Sequence, residues 1–172
     1  LRDYNIVLLM LDTGIRTSEL MAITNEDYNP ETQSILIRPD VAKTSRSRTL
    51  YLSAMTNTSL KKFLKVKPKE WEKWLFPTRD GKQLQANVLG RNFRKYCERT
   101  GVKFTPYQIR HSFATFYLEN GGDLFTLQRQ MGHTDLQMTK RYTEISDKLL
   151  VECHQNYSPI GLLQSSSRRV NV

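Results

Sequence analysis

The stretch MGHTDLQMTKRYTE, residues 131–144, carries an imidazole, His133, nine residues before a phenol, Tyr142, with Lys140 and Arg141 beside the phenol. Taken alone it reads as a surface helix with a core tyrosine. Three more cations sit where a side chain can be held in place. Arg16, in TGIRTSEL, follows a glycine turn and precedes Glu19 by three residues, so the carboxylate can orient the guanidinium. An ordinary helical ion pair is the plainer local reading. Lys43, in VAKTSRSRTL, falls in a polar connection between two β segments, where it can reach into a ligand groove or simply be solvated. Arg110 lies between Ile109 and Phe113 in an otherwise apolar helical pattern. Burying arginine is costly unless an anion partners it. Tyr107 is three residues earlier on the same helical face. His111 reads as a core histidine with a backbone partner. His133 follows Gly132 at a turn between helices, a setting that favours functional side chains.

Two arginines, a lysine, a histidine and a tyrosine suit attack on a phosphodiester. Its pentavalent transition state concentrates negative charge on two non-bridging oxygens, which fixed arginine donors stabilise. The guanidinium fork matches phosphate geometry. A tyrosine oxygen is a competent covalent nucleophile once its proton is accepted, and a lysine can protonate the leaving 5′ oxygen. Such chemistry needs no metal and no cofactor. Other chemistries fit badly: the histidines at 111, 133 and 154 lack short metal-ligand pairings, and no phosphate-cradling glycine loop or dinucleotide fingerprint is present. No serine sits in a strand–turn–helix elbow.

The elements that must position these residues can be read from periodicity and caps. A buried apolar helix is expected over Asp3–Asp12, ended at Thr13-Gly14, and a second over Thr17–Ile23. Ser34–Arg38 and Arg48–Leu52 alternate, with Ile35 and Ile37, and Leu50 and Leu52, on one face; PDVAKTSRS between them reads as a hairpin tip. Helices follow over Ala54–Val66 and Ala86–Thr100, the latter with Leu89, Phe93 and Tyr96 inward. Thr105 as N-cap, Pro106 at the first position and Gln108 completing a capping box start the next helix. Its stripe is Ile109, Phe113, Phe116 and Tyr117. Gly121-Gly122 stops it, Asp123 starts another, and Gly132 stops that one. Thr134 with Gln137 repeats the capping pattern and launches the segment bearing Tyr142. A final amphipathic piece, Ile145–Cys153, leads into a Ser/Arg tail expected to be disordered. The fold class is mainly α with a small antiparallel β-sheet (α+β).

The 172 residues suffice for one domain with a real core. Twenty-six Lys+Arg against 17 Asp+Glu give +9, which points to a polyanion, most simply nucleic acid, though not away from a merely basic protein. Cys97 and Cys153 lack metal or secreted-framework spacing, so a reducing cytoplasm is expected. The apolar run at 6–11 is far too short for a membrane span. Beginning on Leu1 inside a helical pattern, the chain is expected to continue a longer protein.

Four motifs, in order, carry a resemblance. TGIRTSEL, AKTSRSRTLYL, TPYQIRHSFAT and MGHTDLQMTKRYTE resemble the first arginine box, the lysine hairpin, the second arginine box and the Gly-His…Tyr box of the tyrosine recombinases, the phage-integrase and Xer-like family. The resemblance covers roughly 1–157, leaving 158–172 as a flexible tail. It implies the tyrosine-recombinase catalytic-domain fold, with Arg16 and Arg110 clamping the scissile phosphate and Lys43 as general acid. It further implies Glu19 in support, His133 bonded to the phosphate, and Tyr142 forming a 3′-phosphotyrosyl link. The family commonly has a histidine at the place of His111, read here as structural. It usually has histidine where this chain has Tyr107, for which a phosphate-positioning hydroxyl is the alternative to a packing aromatic. The partners implied are double-stranded DNA recombination sites, with a homotetramer in the synapse, a monomer as an isolated domain, and an N-terminal DNA-gripping domain that this chain lacks. The location implied is cytoplasmic. A type IB topoisomerase and a DNA-binding relative without activity are the alternatives. The compact boxes argue against the first and the full residue set against the second. Phage or conjugative-element integration and chromosome resolution are equally compatible with these motifs.

Overall fold

Alternation of apolar and polar residues, and the caps at their ends, place eleven short elements among the described residues. The computed structural model describes residues 1–42, 45–71, 73–135, 137–140, 151, 154–156 and 160. The helices are α1 (Arg2–Thr13), α2 (Thr17–Ala22), α3 (Ala54–Val66), α4 (Ala86–Thr100), α5 (Pro106–Glu119), α6 (Leu124–Met131) and α7 (Gln137–Lys140). A 3-10 turn, Asn25–Asp27, leads into strands β1 (Tyr28–Asn29), β2 (Ser34–Ile37) and β3 (Arg48–Tyr51). The strands form one antiparallel sheet in the order β1-β2-β3.

Helix α1 is the centre of the core. Ile6, Leu9 and Met10 are fully buried, and the helix packs against both α5 and α3. Burying side chains of this size contributes about 1.5–3 kcal/mol each. At its far edge Asp3 ties α1 to α4, accepting from Asn92 Nδ2 at 3.0 Å and Tyr96 Oη at 2.7 Å. In the sheet Ile35 stands opposite Leu50, and Ile37 opposite Arg48. Because strand side chains alternate, Arg48 shares the inward face of β3 with buried Leu50. A second, smaller cluster joins α5 to α6 through Phe113, Ala114, Leu127 and Met131.

Local signals located most of the elements. Thr105 caps α5, accepting from the Gln108 N–H, and Asp123 caps α6, accepting from the Thr126 N–H. Several expectations need correction. The Gln108 side chain turns to the Thr105 hydroxyl rather than completing a reciprocal box with the Thr105 N–H. Asp135, not Thr134, caps the chain entering α7, its carboxylate accepting from the Gln137 N–H at 2.9 Å. Phe116 is 58% exposed, lining a pocket with Leu11 and Tyr117 rather than joining the core. The strand β1 was not expected; its two residues are too few to show a period. Ile145–Cys153, the Ser/Arg tail, Lys43 and Tyr142 lie outside the described residues or among segments mostly so.

Candidate active site

Three arginines from three elements converge on the last turn of α6. Arg16 enters from the start of α2, Arg48 from β3 and Arg110 from the second turn of α5. Each takes one of three successive main-chain oxygens. Arg48 Nε donates to the Gln130 carbonyl at 2.8 Å, Arg110 Nη2 to Met131 at 2.9 Å, and Arg16 Nη2 to Gly132 at 2.6 Å. The end of a helix leaves its final carbonyls without intrahelical partners and carries partial negative charge, so cations are favoured there. Arg110 Nη1 also donates to the Gly14 carbonyl, tying α5 to the end of α1.

Gly132 makes this convergence sterically possible. Its φ of +62° closes α6 in the left-handed conformation. The Gly132 N–H donates to Arg129 O at 3.1 Å and the His133 N–H to Gln128 O at 3.0 Å. A methyl group at Gly132 would stand 2.9 Å from Arg48 Nη1 and 3.0 Å from Arg16 Nη1.

Glu19 is fully buried, yet its carboxylate has four donors. Arg16 approaches through its N–H at 3.1 Å and Nη1 at 3.2 Å. Arg48 forks onto it at 2.9 and 2.6 Å. Burial pushes the Glu19 carboxyl up, but the hydrogen bonds and charge of Arg48, with the charge of Arg16, outweigh it and hold the group below the usual glutamate range. Two guanidiniums against one carboxylate leave this cluster with one net positive charge.

His133 follows directly. Its Nε2 lies 3.1 Å from Arg110 Nη2 and its Nδ1 2.9 Å from Thr139 Oγ1. A guanidinium only donates, so Nε2 accepts and the ring proton belongs on Nδ1, donating to the threonine hydroxyl. Thr139 is fully buried on α7, three residues before Tyr142 in the sequence. Beside His133 a cavity of about 720 Å³ opens between β3 and α6, with Arg46, Tyr51, Thr126 and Arg129 in its walls.

The structure brings Arg16, Glu19, Arg110 and His133 together. His111 is corrected: it is exposed, not a core histidine. It lies two residues from both Ile109 and Phe113, on the opposite side of α5 from the buried stripe. Tyr107 does not pack beneath the site. It is 65% exposed, stacked on His111 with ring centroids 6.3 Å apart. Its hydroxyl bonds to none of the described residues. Arg48 and Thr139 were missed. For Arg48 a signal existed: a charged residue in phase with inward-facing Leu50 and Leu52. For Thr139 none did. Among the described residues, no group of three or more His, Cys, Asp or Glu is placed to hold a metal ion, and no helix is long and apolar enough to cross a membrane.

A guanidinium cradle beside an imidazole, built on a mainly helical domain with a three-stranded sheet, is an arrangement able to hold an oxyanion. The model of the Phage integrase family matches residues 1–148, and the chain belongs to that family. It is 32% identical over 166 residues to the tyrosine recombinase XerC of Chlamydia pneumoniae, covering 92% of this chain and 52% of that protein. Among solved structures it is similar to the XerA recombinase, with a TM-score of 0.74 and 26% identity over 92% of this chain and 57% of that one. It is also similar to the XerH site-specific recombinase bound to difH substrate in a pre-cleavage complex. There the TM-score is 0.70 and the identity 25%, covering 91% of this chain and 47% of that one. The chain therefore spans about half the length of these relatives.

Proposed function

We propose that this chain is the catalytic part of a site-specific DNA recombinase, cutting and rejoining DNA by transesterification. The observation that carries the reading is the meeting of Arg16, Arg110 and His133 at the end of α6, ahead of Tyr142 in the same chain. Membership of the family and the similarity to a recombinase captured with its substrate support it. In the reaction Tyr142 gives up its phenolic proton to water as its oxygen attacks the scissile phosphorus, the O5′–P bond breaks, and a 3′-phosphotyrosyl link and a 5′-hydroxyl result. Lys43 protonates the departing O5′; Arg16 and Arg110 stabilise the charge on the non-bridging oxygens. On DNA the ring proton of His133 moves to Nε2, which leaves Arg110 and donates to one of those oxygens. The Thr139 hydroxyl can accept from Nδ1–H or donate to Nδ1, so it serves the ring in either protonation arrangement. Tyr107, solvent-facing and one turn before Arg110, offers its hydroxyl to a DNA phosphate. The catalytic unit is residues 1–157, and 158–172 form a tail. Four copies act on two duplex sites in the cytoplasm.

The test is covalent capture. Full-length protein is incubated with sheared DNA of its source, denatured, and the DNA bound to protein is sequenced, which also locates the cleavage site. Adducts at one recurring site, absent with Tyr142→Phe, are expected. Adducts that persist in the Phe variant would remove Tyr142 as nucleophile; none with the unaltered protein would overturn the function.

A further inference from the structure

The Arg48 fork onto Glu19 is more than a structural ion pair. Resting on the function proposed above, we infer that Arg48 is a positioning residue for phosphate capture: it neutralises Glu19 so that Arg16 keeps its positive charge for the DNA phosphate.

Glu19 is needed to orient Arg16, bonding both its N–H and Nη1. A fully buried carboxylate paired with Arg16 alone would cancel the charge that a phosphate must feel, and a low-dielectric setting makes that cancellation strong. Arg48 removes the conflict. Its side chain is only 8% exposed, too enclosed to serve as a contact to DNA. All its described bonds point inward: two to the carboxylate and one to the Gln130 carbonyl. Arg16, whose side chain is the more exposed at 16%, and the guanidinium that neutralises Glu19 from the other side are therefore different residues. The same guanidinium also links three elements. It joins β3, at the end of the hairpin that carries Lys43, to α2 and to the turn before His133. A rotation of Arg48 would disturb the aim of Arg16 and the end of α6 together.

The test uses full-length protein and nicked duplexes carrying the mapped cleavage site, with single-turnover cleavage as readout. Arg48→Met leaves Glu19 unbalanced, and phosphodiester cleavage is expected to fall by about 100-fold, the order of losing one preorganised donor. The double variant Arg48→Met/Glu19→Gln removes both charges. Replacing a buried pair by neutral groups is commonly tolerated by the fold. It is expected to recover at least about tenfold over Arg48→Met. On a duplex with a methylphosphonate at the scissile position, which lacks the anionic charge, Arg48→Met is expected to lose less than about tenfold. A purely structural role would instead slow both substrates equally and leave the double variant no faster than the single, and either result overturns the inference. Should Arg48→Met fail to fold, the double variant decides. Cleavage within about tenfold of the unaltered protein supports charge balance; cleavage as slow as Arg16→Ala refutes it. Adducts with the unaltered protein are the internal control, so loss of the function itself is recognised separately.

Discussion

Gly132→Ala isolates the geometry of the cradle from the stability of the fold. Alanine at φ +62° carries the left-handed penalty, about 1–2 kcal/mol. In a chain of this size each kcal/mol lowers the melting temperature by about 2–4 °C, so a fall of about 2–8 °C is expected. The side-chain effect is separate. The new methyl would stand 2.9 Å from Arg48 Nη1, and 3.0 Å from both Arg48 Cζ and Arg16 Nη1. Comfortable contacts begin near 3.5 Å, so both guanidiniums must retreat by about half an ångström. A displacement of about 1 Å at a reacting centre costs about 100-fold, which places the expected loss in cleavage rate at about 10- to 100-fold. Gly101→Ala is the matched control. Gly101 also closes a helix at positive φ, +73°, but a methyl there meets nothing within 4 Å. Both variants should melt earlier by similar amounts, and only Gly132→Ala should cleave slowly on a single-turnover assay. Equal cleavage rates in the two variants would refute the claim that Gly132 sets the arginines.

Arg110→Ala should reduce cleavage by about 100-fold or more while DNA binding, followed by gel shift, changes far less. Thr139→Val removes the partner of His133 Nδ1; cleavage should fall by about tenfold and return with Thr139→Ser, which keeps the hydroxyl. The depressed Glu19 carboxyl makes the fold acid-sensitive. Its contribution to stability is complete above the unfolded value of about 4.3 and is lost as the pH falls through the lower folded value. Denaturant melts from pH 7 to pH 3 should show that loss, and Glu19→Gln should flatten it. Tyr107→Phe should slow cleavage by about tenfold, the order of one hydrogen bond; rates equal to the unaltered protein from pH 6 to 9 would leave Tyr107 without a part in the reaction.

Much of the scaffold was legible because its signals are local. Thr105-Pro106, Asp123 and Gly132 bracket α5 and α6 within a few residues, and α3 and α4 run over the expected spans. The pairing of β2 with β3 followed from alternation on either side of a polar tip. What the chain order hides is contact at a distance. Arg48 meets the Gln130 carbonyl across 82 residues, and Arg110 meets Gly14 across 96. No periodicity encodes such a meeting, although the inward phase of Arg48 marked it as a charge requiring a partner. His111 was misread for a different reason. Its neighbour Arg110 drew attention to burial, whereas the spacing from Ile109 and Phe113 places it on the outer face. Phe116 kept the period of the buried stripe but faces a pocket, because a stripe states which side of a helix is apolar and not how far along it the neighbours extend.

Three of the oxygens that hold the arginines are main-chain carbonyls at the end of α6. Side-chain substitution at Gln130 leaves its carbonyl anchor in place, so an alanine scan of α6 would pass over it. Length is another matter. One residue inserted between Asp123 and Gly132 turns the end of the helix by about 100° and swings all three carbonyls away together. Apart from buried Leu127 and Met131, the residues of α6 are thus free to drift in identity over evolutionary time, while their number is closely held. In a collection of variants, tolerated substitutions within this helix should greatly outnumber tolerated insertions or deletions.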